Sequence, residues 1–303
     1  MAFVASDVAA RPGGNDVASG SARRSGAREW RRFAASRRAV AGAAVLVLLS
    51  VASLLAPVLA RYDPDAQRVG ARLEGPGWRH PMGTDSFGRD VMSRALWGGR
   101  VSQPIGLLAM GVSVVAGVVV GGLAGYFGGR LDGGLMRLTE LTVTFPTFFL
   151  LITLVAVFGA SMSLLILAIG LTSWPITARV VRAEILTLRE REFVLAAGAL
   201  GAGAARVMAR HLLPNVVPVI VVAATLRVGY VILVEAGLSY LGVGVPPPTA
   251  SWGGMVADGA PSLFRAWWVS FFPGLFIFLT VMAYNLVGDG LRDAFDPRRV
   301  TQP

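Results

Sequence analysis

The chain contains no cysteine, no lysine and only two histidines among its 303 residues. Without cysteine there is no disulfide, no thiolate metal site and no cysteine nucleophile. Without lysine there is no GxxxxGK[ST] loop to cradle nucleotide phosphates. His80 and His211 fall on opposite sides of the topology derived below, so they cannot share a metal, and no close His cluster supports a metalloenzyme. Charge is scarce as well: 15% of residues are charged and 54% hydrophobic, with a mean hydropathy of +0.62. That balance belongs to an integral membrane protein rather than a soluble domain. The 28 basic residues are all arginine and bring the formal charge to +10. In so apolar a chain basic charge records topology. No base-reading or stacking face accompanies it, so no nucleic-acid partner is expected.

A membrane helix needs roughly 20 mostly apolar residues to cross about 30 Å of hydrocarbon. Six windows qualify, at about 39–60, 104–127, 138–158, 162–181, 216–242 and 268–288. The expectation is an all-α membrane protein with six transmembrane helices. The first window follows a 38-residue arginine-rich leader and is too long and too far from the start for an ordinary signal peptide, so it reads as a retained anchor. The chain then divides into a basic leader (1–38), a first span (39–60), an extracytoplasmic loop (61–103), a five-helix core (104–288) and a C-terminal tail (289–303).

Arginine stays preferentially on the cytoplasmic side. The leader carries eight: Arg11, Arg23, Arg24, Arg28, Arg31, Arg32, Arg37 and Arg38. With the leader inside, six spans return the C-terminus inside, where Arg292, Arg298 and Arg299 agree. Arg130, Arg137, Arg179, Arg182, Arg189, Arg191, Arg206 and Arg210 also fall inside. Seven arginines in the 61–103 loop oppose the rule, though loops of that length with local acids tolerate them better than short ones. Glycines crowd the second span from Gly111 to Gly129, where small residues let helix backbones approach, and packing within the chain is expected there.

The one sizeable internal loop, 182–214, opens with Arg182, Glu184, Arg189, Glu190, Arg191 and Glu192, then turns almost wholly to Ala, Leu, Val and Gly until Arg206 and Arg210. Small residues on a short exposed helix suit docking into a partner's cleft. A re-entrant or interfacial helix is supported by composition about equally. Gly201 and Gly203 allow a turn between two short helices, and Pro214 fits the first turn of the next span.

Ala196-Ala197, three residues, Gly201, nine residues and His211-Leu212-Leu213-Pro214 keep the spacing of a known motif. The segment resembles the "EAA" loop of ATP-binding-cassette (ABC) importer permeases, with Leu195 at the motif's glutamate and His211 at its isoleucine. Arg-His-x-Leu-Pro-Asn, Arg210 to Asn215 here, is typical of the dipeptide, oligopeptide and nickel branch. Further blocks resemble the same branch in the same order: His80 to Ser102, Gly125 to Arg137, Phe145 to Leu150, Glu235 to Met255 and Phe271 to Pro297. Before residue 80 the likeness is limited to a basic leader and one span.

The resemblance implies a MetI-like ABC permease fold with both termini cytoplasmic, in a bacterial plasma membrane. It implies a peptide importer in which a second homologous permease shares the path. One or two ABC ATPase subunits would bind ATP and Mg, an extracytoplasmic substrate-binding protein would deliver solute, and this chain itself would be neither catalytic nor metal-binding. Phe193, Leu195, Ala196, Ala197, Gly201, Arg206, Arg210, His211 and Pro214 would form the ATPase-coupling loop, with Arg206 and Arg210 meeting charge or lipid headgroups. Asp85, Arg89, Asp90 and Trp252 are candidate contacts of the binding protein.

Three expectations concern individual charges. Arg227 and Glu235 both lie in the fifth span, where charge is costly, but about 12 Å apart along the axis they cannot pair. Each is expected to bond another helix before it touches substrate. Thr84 or Asp85 is expected to cap a short amphipathic helix on which Asp90 pairs with Arg94. Asp289 and Asp293 are expected to make helix or loop contacts at the inner end of the last span. The alternative function is a secondary transporter or channel subunit, which would normally carry several intramembrane carboxylates or broken helices in a repeated pattern. A membrane enzyme would need a cluster of catalytic residues that the sequence does not assemble.

Overall fold

The computed structural model describes residues 29–296. Arg11, Arg23, Arg24 and Arg28 of the leader and Arg298 and Arg299 of the tail lie outside the described residues. Among those described the regular structure is helical, with one isolated bridge between Thr84 and Asp90.

Helix α1 spans Arg37–Leu54 and is opened by Ser36, whose hydroxyl accepts from the Ala39 N–H. Helix α2, Val91–Phe127, is 37 residues long, about 55 Å at 1.5 Å per residue. It starts at Val91 rather than 104, because Asp90 supplies an N-cap by accepting from the Ser93 N–H. Hydropathy locates the lipid-compatible stretch, whereas a capped and packed helix continues beyond it into the polar layer.

Helices α3, Gly129–Thr144, and α4, Thr147–Phe158, meet at a bend of 81°. The expected continuous span over 138–158 is therefore broken at Phe145-Pro146. Proline disfavours helical geometry in the residue before it, and Phe145 is extended, with ψ 130°. Helix α5, Met162–Arg189, is capped by Ser161 and followed by α6, Glu192–Ala199. A turn at Ala204–Val207 and a π-turn at Met208–Leu212 lead into α7, Leu213–Tyr240. Helices α8, Trp252–Gly259, and α9, Trp268–Phe295, complete the bundle. Among the described residues five stretches are long and apolar enough to cross a membrane, six if α3 and α4 together make one span.

The most extensive helix pair is α2 with α5. At Gly121 an added Cβ would run into the Ala178 carbonyl, and at Gly117 it would stand 2.5 Å from Thr177 Cβ. The glycines thus serve packing within the chain, although Gly111 faces open space. Ile105, Met110, Leu165, Ile169 and Ile232 fill the centre of the bundle, with Trp252 at one end.

Helix contacts also order the two ends. Ala39 at the start of α1 meets Gly290 near the end of α9, and Gly125 near the end of α2 meets Ile185 near the end of α5. Asp289 and Asp293 line a cavity of about 480 Å³ with Ser36 and Arg38 at that end. The start of α1, the ends of α2, α5 and α9, and helix α6 thus share one end of the bundle. The 61–90 segment and α8 share the other, where the Trp252 indole donates to the Ala95 carbonyl at 2.9 Å.

Candidate functional site

The segment after α5 forms an elbow. At the end of α6 the Gly201 N–H donates to the Gly198 carbonyl at 2.9 Å and the Ala202 N–H to the Ala197 carbonyl at 3.0 Å. This pair of bonds is a Schellman cap, which requires its central residue in left-handed geometry. Gly201 sits at φ +80°, which a residue with a Cβ adopts only at a cost. Gly203 then takes extended geometry at the N-cap of the following turn. Pro214 lies in the first turn of α7 after the π-turn, where the Leu213 N–H reaches back to the Met208 carbonyl.

Two buried valines pin the elbow to the bundle. Val194 and Val207 join Val181, Ile185, Leu212, Val216 and Ile220 in one cluster, with Ala197 and Ala202 packed against it. The two alanines of the motif therefore do different work: Ala197 faces the core and Ala196 faces out. Also exposed are Gly201, Arg206, Arg210 and Pro214, together with Phe193 at 45% and Leu195 at 60%. His211 is half-buried, its ring 6.5 Å from that of Phe193. Leu200, which the motif did not single out, is 89% exposed. Its position just before the capping glycine was the signal available for it.

The base of the elbow is fastened by charge. Arg182 of α5 donates from Nε and a terminal nitrogen to the two oxygens of Asp132 in α3, each at 2.6 Å. These bonds hold the Asp132 carboxyl below the usual carboxylate range, partial burial working the other way. Arg189 donates to the Gly125 carbonyl at 3.2 Å.

At the opposite end charge is buried. Asp85, Arg89, Asp90, Arg94 and His80 are all inaccessible or nearly so. Arg89 bonds Asp85 and also Asp258, 3.0 Å away on α8. Arg94 reaches the Pro64 carbonyl at 3.1 Å and lies 3.8 Å from Asp258. The expected Asp90–Arg94 pair does not form. Asp90 instead caps α2 and accepts from His80 Nδ1 at 2.8 Å, across the loop. Capping by Thr84 or Asp85 is likewise replaced: the Thr84 hydroxyl donates to the Ala71 carbonyl, and Asp85 accepts from the Phe87 and Arg89 N–H groups within its own turn. Trp252 is 1% exposed. The four residues named as candidate contacts of a binding protein, Asp85, Arg89, Asp90 and Trp252, thus shape this surface from beneath.

Glu235 is wholly buried. One carboxyl oxygen accepts from Ser239 at 2.7 Å, and the other has no hydrogen-bond partner among the described residues. Ser251 stands 3.5 Å from Ser239, so this knot ties α7 to the start of α8. Arg227 is half-buried with its guanidinium 4.6 Å from the ring centre of Tyr230, in its own helix rather than another. No group of three or more potential metal ligands occurs among the described residues.

An all-α bundle of membrane-length helices with a small-residue elbow at one end has the form of a transporter's membrane subunit. Residues 117–301 match the binding-protein-dependent transport system inner membrane component family, and the chain belongs to that family. Residues 27–76 match the N-terminal transmembrane domain of oligopeptide transport permease C. The likeness before residue 80 thus goes beyond the basic leader and single span expected from the motifs. The chain is 42% identical over 274 residues, 90% of its length and 91% of the relative's, to a Brucella suis protein that carries a provisional peptide-permease name. It is 39% identical over 89% of its length to the Bacillus subtilis dipeptide transport system permease protein DppC, 84% of which is covered.

Among solved structures the fold is similar to a chain of the MetNI methionine ABC transporter in an inward-facing conformation. The TM-score is 0.54 at 19% identity, covering 70% of this chain and 98% of the other. A chain of an amino acid ABC transporter follows at 0.50 and 15%, covering 65% and 91%. The protein is a multi-pass inner-membrane component of the peptide permease family.

Proposed function

We propose that this chain is one of two permease subunits of an ATP-driven importer for peptides, and that the elbow at 190–214 docks into a separate ATPase subunit. The observation that carries this reading is the combination at α6. The elbow is locked inward by Val194 and Val207 and capped at Gly201, yet it leaves Phe193, Leu195, Ala196 and Leu200 on the outside. A segment held this firmly moves as a body with α5 and α7, so displacement at its tip is passed to the membrane helices. Leu195, where the motif has glutamate, makes this contact apolar at that position. ATP and Mg belong to the partner, because this chain has no lysine for a phosphate loop.

In this reading the elbow and both termini are cytoplasmic, and the end built from residues 61–90 and α8 receives solute from an extracytoplasmic binding protein. The dipeptide permease among the relatives supports a peptide as cargo. The test uses single cysteines, introduced into a chain that has none. Ala196→Cys and Leu200→Cys should crosslink to the co-expressed ATPase in a nucleotide-sensitive way, while the inward Ala197→Cys should crosslink much less. If the outward pair is instead labelled from the extracytoplasmic side, or reacts only within lipid, the reading is wrong.

A further inference from the structure

A second feature lies on the outer flank of the bundle, in the seam between α1 and α2. It is a cavity of about 340 Å³ lined by Ser50, Ser53, Leu54, Arg100, Gln103 and Leu107, among others. Its floor is polar and ordered: the Ser50 hydroxyl donates to Gln103 Oε1 at 2.7 Å, and Gln103 Nε2 donates to Ser53 Oγ at 3.2 Å. Its outer walls are apolar and face away from the bundle, with Leu54 at 67% and Leu107 at 50% exposure. At the mouth stands Arg100, half-buried, its guanidinium 4.7 Å from the ring centre of Trp97. Within the described residues it is paired with no carboxylate, unlike Arg89, Arg94 and Arg182.

Depth identifies what meets that cation. From Arg100 to Phe127 helix α2 rises about 40 Å, and a bilayer measures about 30 Å across its hydrocarbon and about 40–45 Å with its headgroups. With Phe127 at one membrane face, Arg100 lies in the headgroup layer of the opposite leaflet, where tryptophan also concentrates. Leu107, just over 10 Å deeper by the same rise, lies at the level of the acyl chains. A cation at headgroup depth, a hydrogen-bonded polar floor beneath it and an apolar groove running inward match one ligand class in shape and charge.

The geometry points to a phospholipid site: the phosphodiester of a glycerophospholipid, in the leaflet on the α8 side, is held by Arg100 over the Ser50–Gln103–Ser53 floor, with an acyl chain along Leu54 and Leu107. Binding there would brace α1 against α2, the helices the seam separates. This does not depend on what the transporter carries.

A photo-reactive phenylalanine analogue at Leu107, activated in native membranes containing phosphorus-labelled lipid, tests it directly. The expected product is this chain carrying one labelled phospholipid. Its yield should fall about five-fold in Arg100→Gln, the scale of one basic residue at a membrane surface, and be largely kept in Arg100→Lys. A protein-sized adduct would overturn the proposal, because another chain would then cover the seam. So would a lipid adduct whose yield ignores both substitutions, since that is ordinary surrounding lipid. Should Arg100→Gln fail to insert, Gln103→Leu tests the floor in a chain that keeps its arginine, and an unchanged yield there also counts against the site.

Discussion

The two ends of this bundle handle charge in opposite ways. At the α8 end Asp85, Arg89, Asp90, Arg94 and His80 are nearly all removed from solvent and bonded to one another or to neighbouring loops. At the α6 end Arg191, Glu192, Arg206 and Arg210 stay exposed, and the buried anchors are valines. A closed surface can fold long loops around internal ion pairs, each partner compensating the other's lost hydration. In the proposed function the α6 end receives another protein, and such an end keeps its backbone approachable and draws its stability from apolar contacts beneath. The same chain therefore spends its polar groups on shape at one end and leaves small residues free for contact at the other.

The largest expected effect lies in the buried charges. Asp85→Asn leaves Arg89 and Arg94 without their buried counter-charge and should cost about 3–5 kcal/mol, seen as a steep loss of monodisperse protein on heating in detergent. A variant that melts like the parent would show that the α8 end does not depend on these pairs. Next comes Gly121→Leu, which forces a side chain into the Ala178 backbone. Overpacking of this kind should cost about 1–3 kcal/mol and separate α2 from α5, which a lower melting temperature would report.

Smaller, and dependent on pH, is the fork at the base of the elbow. Asp132 is held below its unfolded value near 3.9 by Arg182, so the fork's contribution is fully present above that value and disappears as pH falls through the lower folded one. Asp132→Asn should therefore lower stability by on the order of 1 kcal/mol, by the same amount from pH 5 to 8. The gap between parent and variant should close only in acid, and a gap that changes between pH 6 and 8 would implicate another group. Last in stability but not in function is Leu200→Ala. So exposed a residue should change the melting temperature within error, yet it should weaken stimulation of ATP hydrolysis in the assembled transporter. Unimpaired coupling would move the contact elsewhere on the elbow.

How much of this was legible in the sequence varies by region. The elbow was legible because its spacing puts special residues where few others fit: Gly201, free to take the positive φ of the cap, and Pro214, restricted to the φ of a helix start. Which alanine faces inward was not, since Ala196 and Ala197 are chemically identical and only the position of the α5–α7 seam distinguishes them. The break at Phe145-Pro146 was written in the chain, but an apolar window conceals a bend that costs no hydropathy. Asp90 was read as an i, i+4 partner of Arg94. It serves His80 and the first turn of α2, because a loop folding back over the helix start offered a buried donor that no local pattern specifies.

The sequence by itself determined that this is an all-α membrane chain, where most of its spans lie, and that one internal loop carries a permease signature. Hydropathy, glycine and proline act over neighbouring residues, so their consequences can be read locally. Only the tertiary structure decided that Arg89 reaches Asp258 across 169 positions of chain, that Ser251 at the start of α8 comes to the Glu235–Ser239 pair of α7, and that Arg100, paired with no carboxylate among the described residues, stands at the mouth of a groove. Such pairings are set by which surfaces meet when helices pack, and a buried charge binds the counter-group that packing brings within reach, however distant it is along the chain.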